Sequence, residues 1–302
     1  MNLYTHKESN VLKTWIYLVG FVVFVIAAGW LMSYFLNNYG IFVLAVVLSI
    51  LMSLGSYWYS DKIVLAISGA RPIAKEDNPE LYRIVENLSI TAGLPMPRLY
   101  VVADPQPNAF ATGRDPKHGV VAVTTGLLER LERVELEGVI AHELSHIGNR
   151  DILVSTVAVV LVGVVVFMAD FFFRIAFWGG FGGRDNDRGG GYIKLILIIV
   201  AVAFAILAPI AAQLLKLAIS RKRELLADAS GALLTRYPEG LALALEKISA
   251  DPRQLHTAND ATAHLYLVNP FRGKERRSWL HKLFMTHPPV EERVAALRGM
   301  KI

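Results

Sequence analysis

The run Ala141-His142-Glu143-Leu144-Ser145-His146 decides the fold expected for this chain, because it places two histidines four residues apart in a helix-forming segment. On a helix, such side chains lie one turn apart on the same face. Two imidazoles at that spacing can bind a single Zn²⁺, and Glu143 between them is placed to act as general base on the attacking water. The motif therefore indicates a reaction as well as a ligand pair, although it is not decisive by itself.

The composition indicates a membrane protein. Of the 302 residues, 54% are hydrophobic and only 19% are charged. The apolar residues gather in four runs that reach or approach the roughly 20 residues needed to cross a bilayer. The first run is too long for a secretory signal peptide and lacks a clear cleavage site, so we expect a retained anchor. The four runs cover residues 14–36, 41–59, 152–177 and 193–219.

Charge and cysteine content exclude several kinds of site. The net charge of +5 fits basic cytoplasmic flanks of a membrane protein more simply than nucleic-acid binding. No basic cluster is interleaved with aromatic residues as a nucleic-acid module requires. The chain has no cysteine, which excludes disulfides, thiolate zinc sites and cysteine nucleophiles. Any zinc must then be held by histidine and carboxylate side chains.

Basic residues at the ends of the apolar runs predict the orientation in the membrane. Lys7 and Lys13 precede the first run, Lys62 follows the second, and residues 221–223 are basic and follow the fourth. By the positive-inside rule, both termini and the middle domain face the cytoplasm, and the glycine-rich loop 179–191 lies outside.

The runs divide the chain into four segments. We expect one membrane hairpin over residues 1–61, a second over residues 152–219, and two halves of a cytoplasmic domain over residues 62–151 and 220–302. The expected fold class is α+β and mostly helical, with a small β-sheet beside the helix that carries the two histidines.

Local patterns predict the elements of the cytoplasmic domain. Asn78-Pro79 has the form of an N-cap followed by proline at the first helical position. From Leu127 onward the apolar residues follow helical spacing but slip in phase, which leaves open whether they form one bent helix or two. Helices and β-branched strands are otherwise expected at residues 79–88, 98–102, 119–124, 238–248 and from 289 onward.

A third metal ligand is expected from the segment that follows the fourth run. The histidine helix leads almost directly into the third run, so two membrane crossings return the chain to the same membrane face at residues 221–228. Glu224 is the candidate ligand, and Asp228, one turn later, could accept a hydrogen bond from a ligand imidazole. Glu-x-x-x-Asp alone is a weak pattern that helix surfaces carry routinely, but its placement favours the ligand interpretation.

Five motifs in this order resemble those of the HtpX-type membrane metalloproteases, relatives of the CAAX prenyl protease within the gluzincin clan. They are Asn108-Ala109-Phe110-Ala111-Thr112-Gly113, Val121-Ala122-Val123-Thr124-Thr125-Gly126-Leu127-Leu128, His142-Glu143-x-x-His146, Ser220-Arg221-Lys222-Arg223-Glu224-x-x-Ala227-Asp228, and Thr286-His287-Pro288-Pro289-x-Glu291-x-Arg293.

The resemblance implies a zincin-like protease domain with one Zn²⁺ per chain. It implies that His142, His146 and Glu224 bind the metal and that Glu143 is catalytic. It also implies an active site facing the cytoplasm from a bacterial inner membrane, with proteolytic quality control of misfolded or damaged membrane proteins. The expected partners are polypeptide substrates, chiefly membrane proteins, and the lipid bilayer.

Three further positions have both a functional and an ordinary interpretation. Residues Asn108, Ala109, Phe110 and Ala111 would form an edge strand beside the zinc, to which a substrate could add by backbone pairing, or a plain loop. His287 and Arg293 are candidates to stabilise the oxyanion of the reaction. The alternatives are a turn residue for His287 and a surface helix charge for Arg293.

Three other functions compete with the protease interpretation. One is an inactive membrane scaffold with structural zinc, which would need a fourth protein ligand that the sequence does not show. The second is a prenyl-protein processing protease, whose relatives usually have more membrane spans. The third is a small transporter that uses Asp170 and Arg174, against which the absence of an internal repeat argues. Natural substrates, oligomeric state and autocleavage are left open.

Overall fold

The structure is a computed structural model that describes residues 3–158, 160–161, 221–253, 266–267 and 288–300. These residues form a mostly helical fold with one small mixed sheet, as expected. Residues 151–158, at the start of the third apolar run, are helical. The rest of the second hairpin, the loop 179–191 and the side chains of Asp170, Arg174 and His287 lie outside the described residues.

Two long helices at the start of the chain form an antiparallel hairpin. Helix α1 spans Leu3–Leu36 and helix α2 spans Tyr39–Ile67, so α2 runs past the predicted boundary at residue 61. Both are long and apolar enough to cross a membrane, over Asn10–Leu31 and Phe42–Ile67. Only 18% and 17% of the residues in their most apolar windows are buried. Such exposed apolar surface is expected of helices that face lipid and not of core helices in a soluble protein.

A four-stranded sheet follows the two long helices in the chain. Its strands are β1 (Arg71–Pro72), β2 (Arg98–Val102), β3 (Ala109–Thr112) and β4 (Val120–Thr124), in the order β1-β2-β4-β3. Strands β2 and β4 run parallel, whereas β1 and β3 pair with their neighbours in the antiparallel sense. Strand β1 was not expected, because two residues are too short to carry an alternating pattern.

Helix α3 follows the N-cap signal in the sequence. It spans Pro79–Ala92, with the Leu81 backbone N–H donating to the Asn78 side chain at 3.0 Å. Gly93 ends the helix in the left-handed conformation at φ 64°, which glycine adopts without steric cost. The helix is therefore defined at both ends by local side-chain and backbone chemistry.

The phase slip after Leu127 marks a break between two helices. Helix α4 spans Thr125–Arg130 and helix α5 spans Arg133–Gly148. Leu131 between them is extended, at φ −86° and ψ 135°, which ends α4. Glu132 then begins α5 through a capping box in which the Glu135 side chain accepts from the Glu132 backbone N–H at 2.8 Å. The histidine helix α5 is thus a separate helix from α4.

Three further helices complete the described domain: α6 (Arg221–Thr235), α7 (Pro238–Ala250) and α8 (Val290–Arg298). Helix α5 is the central element of the core, because it packs against α3, α6, α7 and strand β3. A shared set of fully buried apolar side chains joins them: Leu81, Ile84, Val139, Ile140, Leu144, Leu241 and Leu245.

Helices α5 and α6 touch backbone to backbone at Gly231. A Cβ atom at this position would lie 2.9 Å from the His142 backbone nitrogen and 3.2 Å from the Ala141 carbonyl carbon. These separations are too short for ordinary carbon contacts, so only glycine permits this approach. Gly231 lies on the same face of α6 as Glu224 and Asp228, because it follows them by seven and three residues, respectively.

We expect Gly231→Ala to destabilise the domain by about 1–3 kcal/mol, because the added methyl must push α6 away from α5. Thermal unfolding in detergent measures the effect. Gly148→Ala is the matched control, since a Cβ there would meet Leu94 at an ordinary 3.5 Å. If Gly231→Ala unfolds like Gly148→Ala, the two helices do not approach as closely as described.

Candidate metal centre

Two imidazoles on α5 converge inside the domain. The Nε2 atoms of His142 and His146 lie 3.1 Å apart, and the rings are nearly perpendicular at 86° with centroids 4.7 Å apart. The His142 side chain is 1% exposed, whereas the His146 side chain is 16% exposed. The helical spacing in the sequence therefore places both Nε2 atoms at one buried point that is still accessible from the His146 side.

Helix α6 brings a carboxylate to the same point. Glu224 Oε2 lies 3.8 Å from His142 Nε2, and Glu224 Oε1 lies 3.5 Å from His146 Nε2. The candidate ligand atoms of the three residues all lie within 4.8 Å of one another. Ligands at zinc's usual bond lengths of 2.0–2.2 Å lie about 3.3–3.6 Å apart around a tetrahedral ion. The three side chains thus fit one metal ion.

Asp228 supports the first histidine from the same face of α6. Its Oδ1 atom lies 2.9 Å from His142 Nδ1, which is a hydrogen-bonding distance. A proton on Nδ1 leaves the Nε2 lone pair directed at the metal point. Burial would raise the pKa of Asp228, but the Arg293 guanidinium and His142 hold it down to about 2. Asp228 therefore stays charged.

Arg293 on α8 holds Asp228 in place. Its Nε donates to Asp228 Oδ2 at 2.8 Å and its Nη2 donates to Asp228 Oδ1 at 2.7 Å, a bidentate pair. Its Nη1 donates to the Leu267 carbonyl at 3.0 Å and lies 4.0 Å from Glu224 Oε2. Because the guanidinium is 1% exposed and engaged on all three nitrogens, these contacts favour a positioning role over direct contact with an oxyanion.

The second histidine has its own carboxylate, which the sequence did not reveal. Asp151 Oδ2 lies 3.2 Å from His146 Nδ1. Asn10 on α1 donates through Nδ2 to Asp151 Oδ1 at 2.7 Å and to the Asn149 carbonyl at 3.1 Å. The only hint in the sequence was that Asn10 and Asp151 are polar residues close to the starts of the first and third apolar runs. The first membrane helix thus contacts the side chain that orients His146.

The protonation of the two histidines differs because their surroundings differ. Burial lowers the pKa of His142, and the Asp228 carboxylate opposes that shift only in part. Burial would also lower the pKa of His146, but the Asp151 hydrogen bond and the charge of Glu224 raise it to about 9. Carboxylates thus surround His146 closely enough to favour positive charge at this point, as a cation site requires.

Glu143 lies between the histidines and the sheet. Burial raises its pKa to about 7, although the backbone N–H of Ala111 donates to its carboxylate and opposes the shift. The side chain is nearly fully buried, which is unlike an ordinary helix-surface glutamate. Glu143 therefore faces both the metal point and strand β3.

The predicted edge strand lies beside this glutamate at one end of the sheet. The strand begins at Ala109, while Asn108 precedes it and accepts from the Thr124 backbone N–H at 3.0 Å. Its outer side is partly occupied, because the Ala109 carbonyl accepts from Leu267 N–H at 3.0 Å. Phe110 points to the other face of the sheet, where its ring packs edge-on against the Tyr266 ring with centroids 5.2 Å apart. The loop alternative does not hold for residues 109–112.

The sequence of the chain matches known proteases. A model of peptidase family M48 matches residues 75–301. The Protease HtpX homolog of Dictyoglomus thermophilum is 49% identical over 300 residues, which covers 98% of this chain and 94% of that protein. The Protease HtpX homolog of Syntrophobacter fumaroxidans is 51% identical over 264 residues, which covers 85% and 89%.

One similar solved structure is the crystal structure of S. mikatae Ste24p, which is 20% identical with a TM-score of 0.47 and covers 98% of this chain and 66% of that one. The family match and the relatives near half identity confirm the resemblance to HtpX-type proteases. With its two apolar helices and its cluster of candidate ligands, the chain belongs to peptidase family M48 and is a membrane metalloprotease.

Proposed function

We propose that this protein is a zinc endopeptidase of the bacterial cytoplasmic membrane that degrades misfolded or damaged membrane proteins. The observation that carries the proposal is the convergence of His142, His146 and Glu224 on one point beside the buried Glu143. The metal is Zn²⁺, one per chain, because two imidazoles and a carboxylate suit zinc and leave a position open for water.

Glu143 is the proposed general base and acid. Zn²⁺ bound by the three ligands would polarise the scissile carbonyl and lower the pKa of water from 15.7 to about 7. Glu143 takes a proton from the attacking water as the oxygen bonds to the carbonyl carbon. It passes that proton to the leaving amine as the C–N bond breaks. A pKa near 7 suits a group that must both accept and release a proton.

Four side chains hold the ligands in position. Asp228, fixed by Arg293, orients His142, and Asp151, fixed by Asn10, orients His146. Each ligand imidazole thus contacts a carboxylate through its Nδ1 atom, and each carboxylate accepts a hydrogen bond from a further side chain. Such outer contacts set the tautomer of the ring and raise its basicity. His287 is the residue proposed to stabilise the oxyanion.

Strand β3, with Asn108, Ala109, Phe110 and Ala111, is the proposed site for the substrate backbone. Ala111 lies next to Glu143, so a peptide that pairs with the outer side of the strand would pass the metal point. Such a peptide would have to displace the bond between Leu267 N–H and the Ala109 carbonyl. Backbone pairing selects extended chains with little dependence on side chains. This loose preference suits a protease that recognises unfolded segments.

The proposed membrane placement follows from α1. Asn10 lies at the start of a candidate span and contacts the site through Asp151, so the catalytic centre lies close to the membrane surface. Basic residues then put it on the cytoplasmic side. In this layout residues 1–61 and 152–219 are membrane hairpins, and residues 62–151 and 220–302 form the protease domain. A site at this level reaches substrates that emerge from the bilayer.

We expect Glu143→Gln to reduce peptide cleavage on the order of 10²–10⁴-fold while one Zn²⁺ per chain is retained, because the amide cannot accept the proton. Cleavage of an unfolded polypeptide in detergent and metal analysis of the purified protein measure the two quantities. Glu137→Gln on the exposed side of the same helix is the control. Cleavage at the unaltered rate in Glu143→Gln would remove the proposed base.

We expect Asp151→Ala to weaken Zn²⁺ binding roughly 10- to 100-fold, and Asn10→Ala to weaken it by a smaller factor, because His146 loses its orienting partner. Competition with a chelator measures the dissociation constant. Asn38→Ala, at the far end of the hairpin, is the matched control for Asn10→Ala. Unchanged zinc affinity in both site variants would show that Asp151 does not position His146.

The protease proposal is separated from its alternatives by substrate and metal dependence. We expect an unfolded polypeptide without a prenyl group to be cleaved in the presence of Zn²⁺, to be protected by a chelator, and to be cleaved again when Zn²⁺ is restored. A strict requirement for a prenylated substrate would favour the processing protease. Zinc binding without any cleavage would favour the scaffold.

A further inference from the structure

A cavity of about 580 Å³ lies where the membrane hairpin meets the soluble domain. It is distinct from the metal centre and open on one side. Helix α1 contributes Trp15 and helix α2 contributes Tyr57. The protease domain contributes the loops at residues 93–95 and 114–117 and Arg150, and the start of the third apolar run contributes Leu153. The two membrane helices and the catalytic domain thus share its walls.

The charged wall of this cavity is basic. It contains Arg114, Lys117 and Arg150 against a single carboxylate, Asp115. Asp115 is already engaged, because its Oδ1 lies 2.8 Å from His118 Nδ1. Among the described residues, Lys117 and Arg150 form no ion pair, and both are exposed. Two cations therefore face the cavity without a neutralising partner in the described part of the chain.

Arg114 is fixed in the wall by an aromatic ring. Its guanidinium carbon lies 4.7 Å from the centre of the Trp58 ring, and its Nη2 lies 2.6 Å from His118 Nε2. Cation–π stacking keeps the planar group in place. The Arg114 Nε lies 3.6 Å from Asp115 Oδ2, so Asp115 already balances this charge and the uncompensated cations are Lys117 and Arg150. The basic wall is thus partly preformed.

The position of the cavity along the hairpin corresponds to the headgroup level of a membrane. The candidate span of α1 begins at Asn10, and Trp15 stacks on Tyr57 of α2 with ring centroids 6.2 Å apart. Exposed Trp58 and Tyr59 continue this aromatic band. Tryptophan and tyrosine gather where hydrocarbon gives way to headgroups, so the band locates the interface.

We infer that this cavity binds the headgroup of an anionic phospholipid. The cations suit a phosphate diester, and the apolar side chains of Val11, Trp15 and Leu153 suit the glycerol and the first methylene groups. Basic pockets between membrane helices on the cytoplasmic side have this chemistry. A soluble phosphate would leave the apolar wall unused, so the lipid is the occupant that uses both walls.

The site adjoins the contacts that orient His146. Arg150 has a left-handed backbone at φ 57° and lies between Asn149, whose carbonyl accepts from Asn10, and Asp151. A headgroup bound by Arg150 and Val11 would therefore join α1 to the segment that carries Asp151. That coupling rests on the proposed function, whereas lipid binding itself does not.

The test is a lipid titration of the full-length, metal-free protein in neutral detergent, followed by native mass spectrometry. Phosphatidylglycerol and phosphatidylcholine with identical acyl chains are compared. We expect selective retention of phosphatidylglycerol. The double variant Lys117→Gln/Arg150→Gln should lose affinity for it on the order of tenfold. The double variant Lys75→Gln/Arg83→Gln, which removes the same charge from exposed sites outside the cavity, should bind as the unaltered protein does.

Two further arms separate the sources of binding. Trp15→Ala leaves the charge unchanged and should weaken phosphatidylglycerol retention, because the apolar wall is lost. Inorganic phosphate at millimolar concentration should not displace the lipid. Equal retention of the two lipids, displacement by phosphate, or full binding by Lys117→Gln/Arg150→Gln would each overturn the proposal. Because no metal or cleavage is involved, a failed zinc or protease assay leaves this result unaffected.

Discussion

The contact between helices α5 and α6 at Gly231 is the constraint on which the rest of the site depends. A glycine at this point allows the two backbones to meet, and the same face of α6 then carries Glu224 and Asp228 towards His142. Helices that packed through larger side chains would hold their axes 8–10 Å apart. The reach of Glu224 to both imidazoles therefore depends on the same close helix packing that Gly231 permits.

The polar side chains buried around this contact form two separate series of contacts. Asp228 links His142 to Arg293, and Asp151 links His146 to Asn10. Burying charges costs free energy unless hydrogen bonds and opposite charges compensate, and here each carboxylate has partners on both sides. The first series connects the site to α8 through Arg293. The second connects it to helix α1 through Asn10, so the hairpin contributes a side chain to the surroundings of the candidate metal centre.

The sequence predicted local structure correctly where a residue type has a strong preference for one backbone conformation or position. The Asn78-Pro79 signal gave the start of α3, the β-branched runs gave β2 and β4, and the mixed, mostly helical fold followed from these. Whether the segment after Leu127 bends or breaks was undecidable from periodicity, because both outcomes share the same spacing. The capping box at Glu132 and the extended Leu131 decided it. For Arg293 the sequence offered an oxyanion role or a surface helix charge. The side chain is buried and pairs with Asp228, which contradicts the surface alternative.

The sequence by itself determined the chemistry available to this protein. The spacing of His142 and His146 follows from the pitch of one helix, the absence of cysteine restricts the donors, and the apolar runs indicate a membrane protein. The order of the apolar runs also predicted that Glu224 and Asp228 would meet the histidines. Only the tertiary structure decided which other distant groups join them. Asn10, Asp151 and Arg293 reach the site through contacts between elements far apart in the chain, and no local period encodes such contacts. They depend on how closely helices approach, which is a property of the packed core.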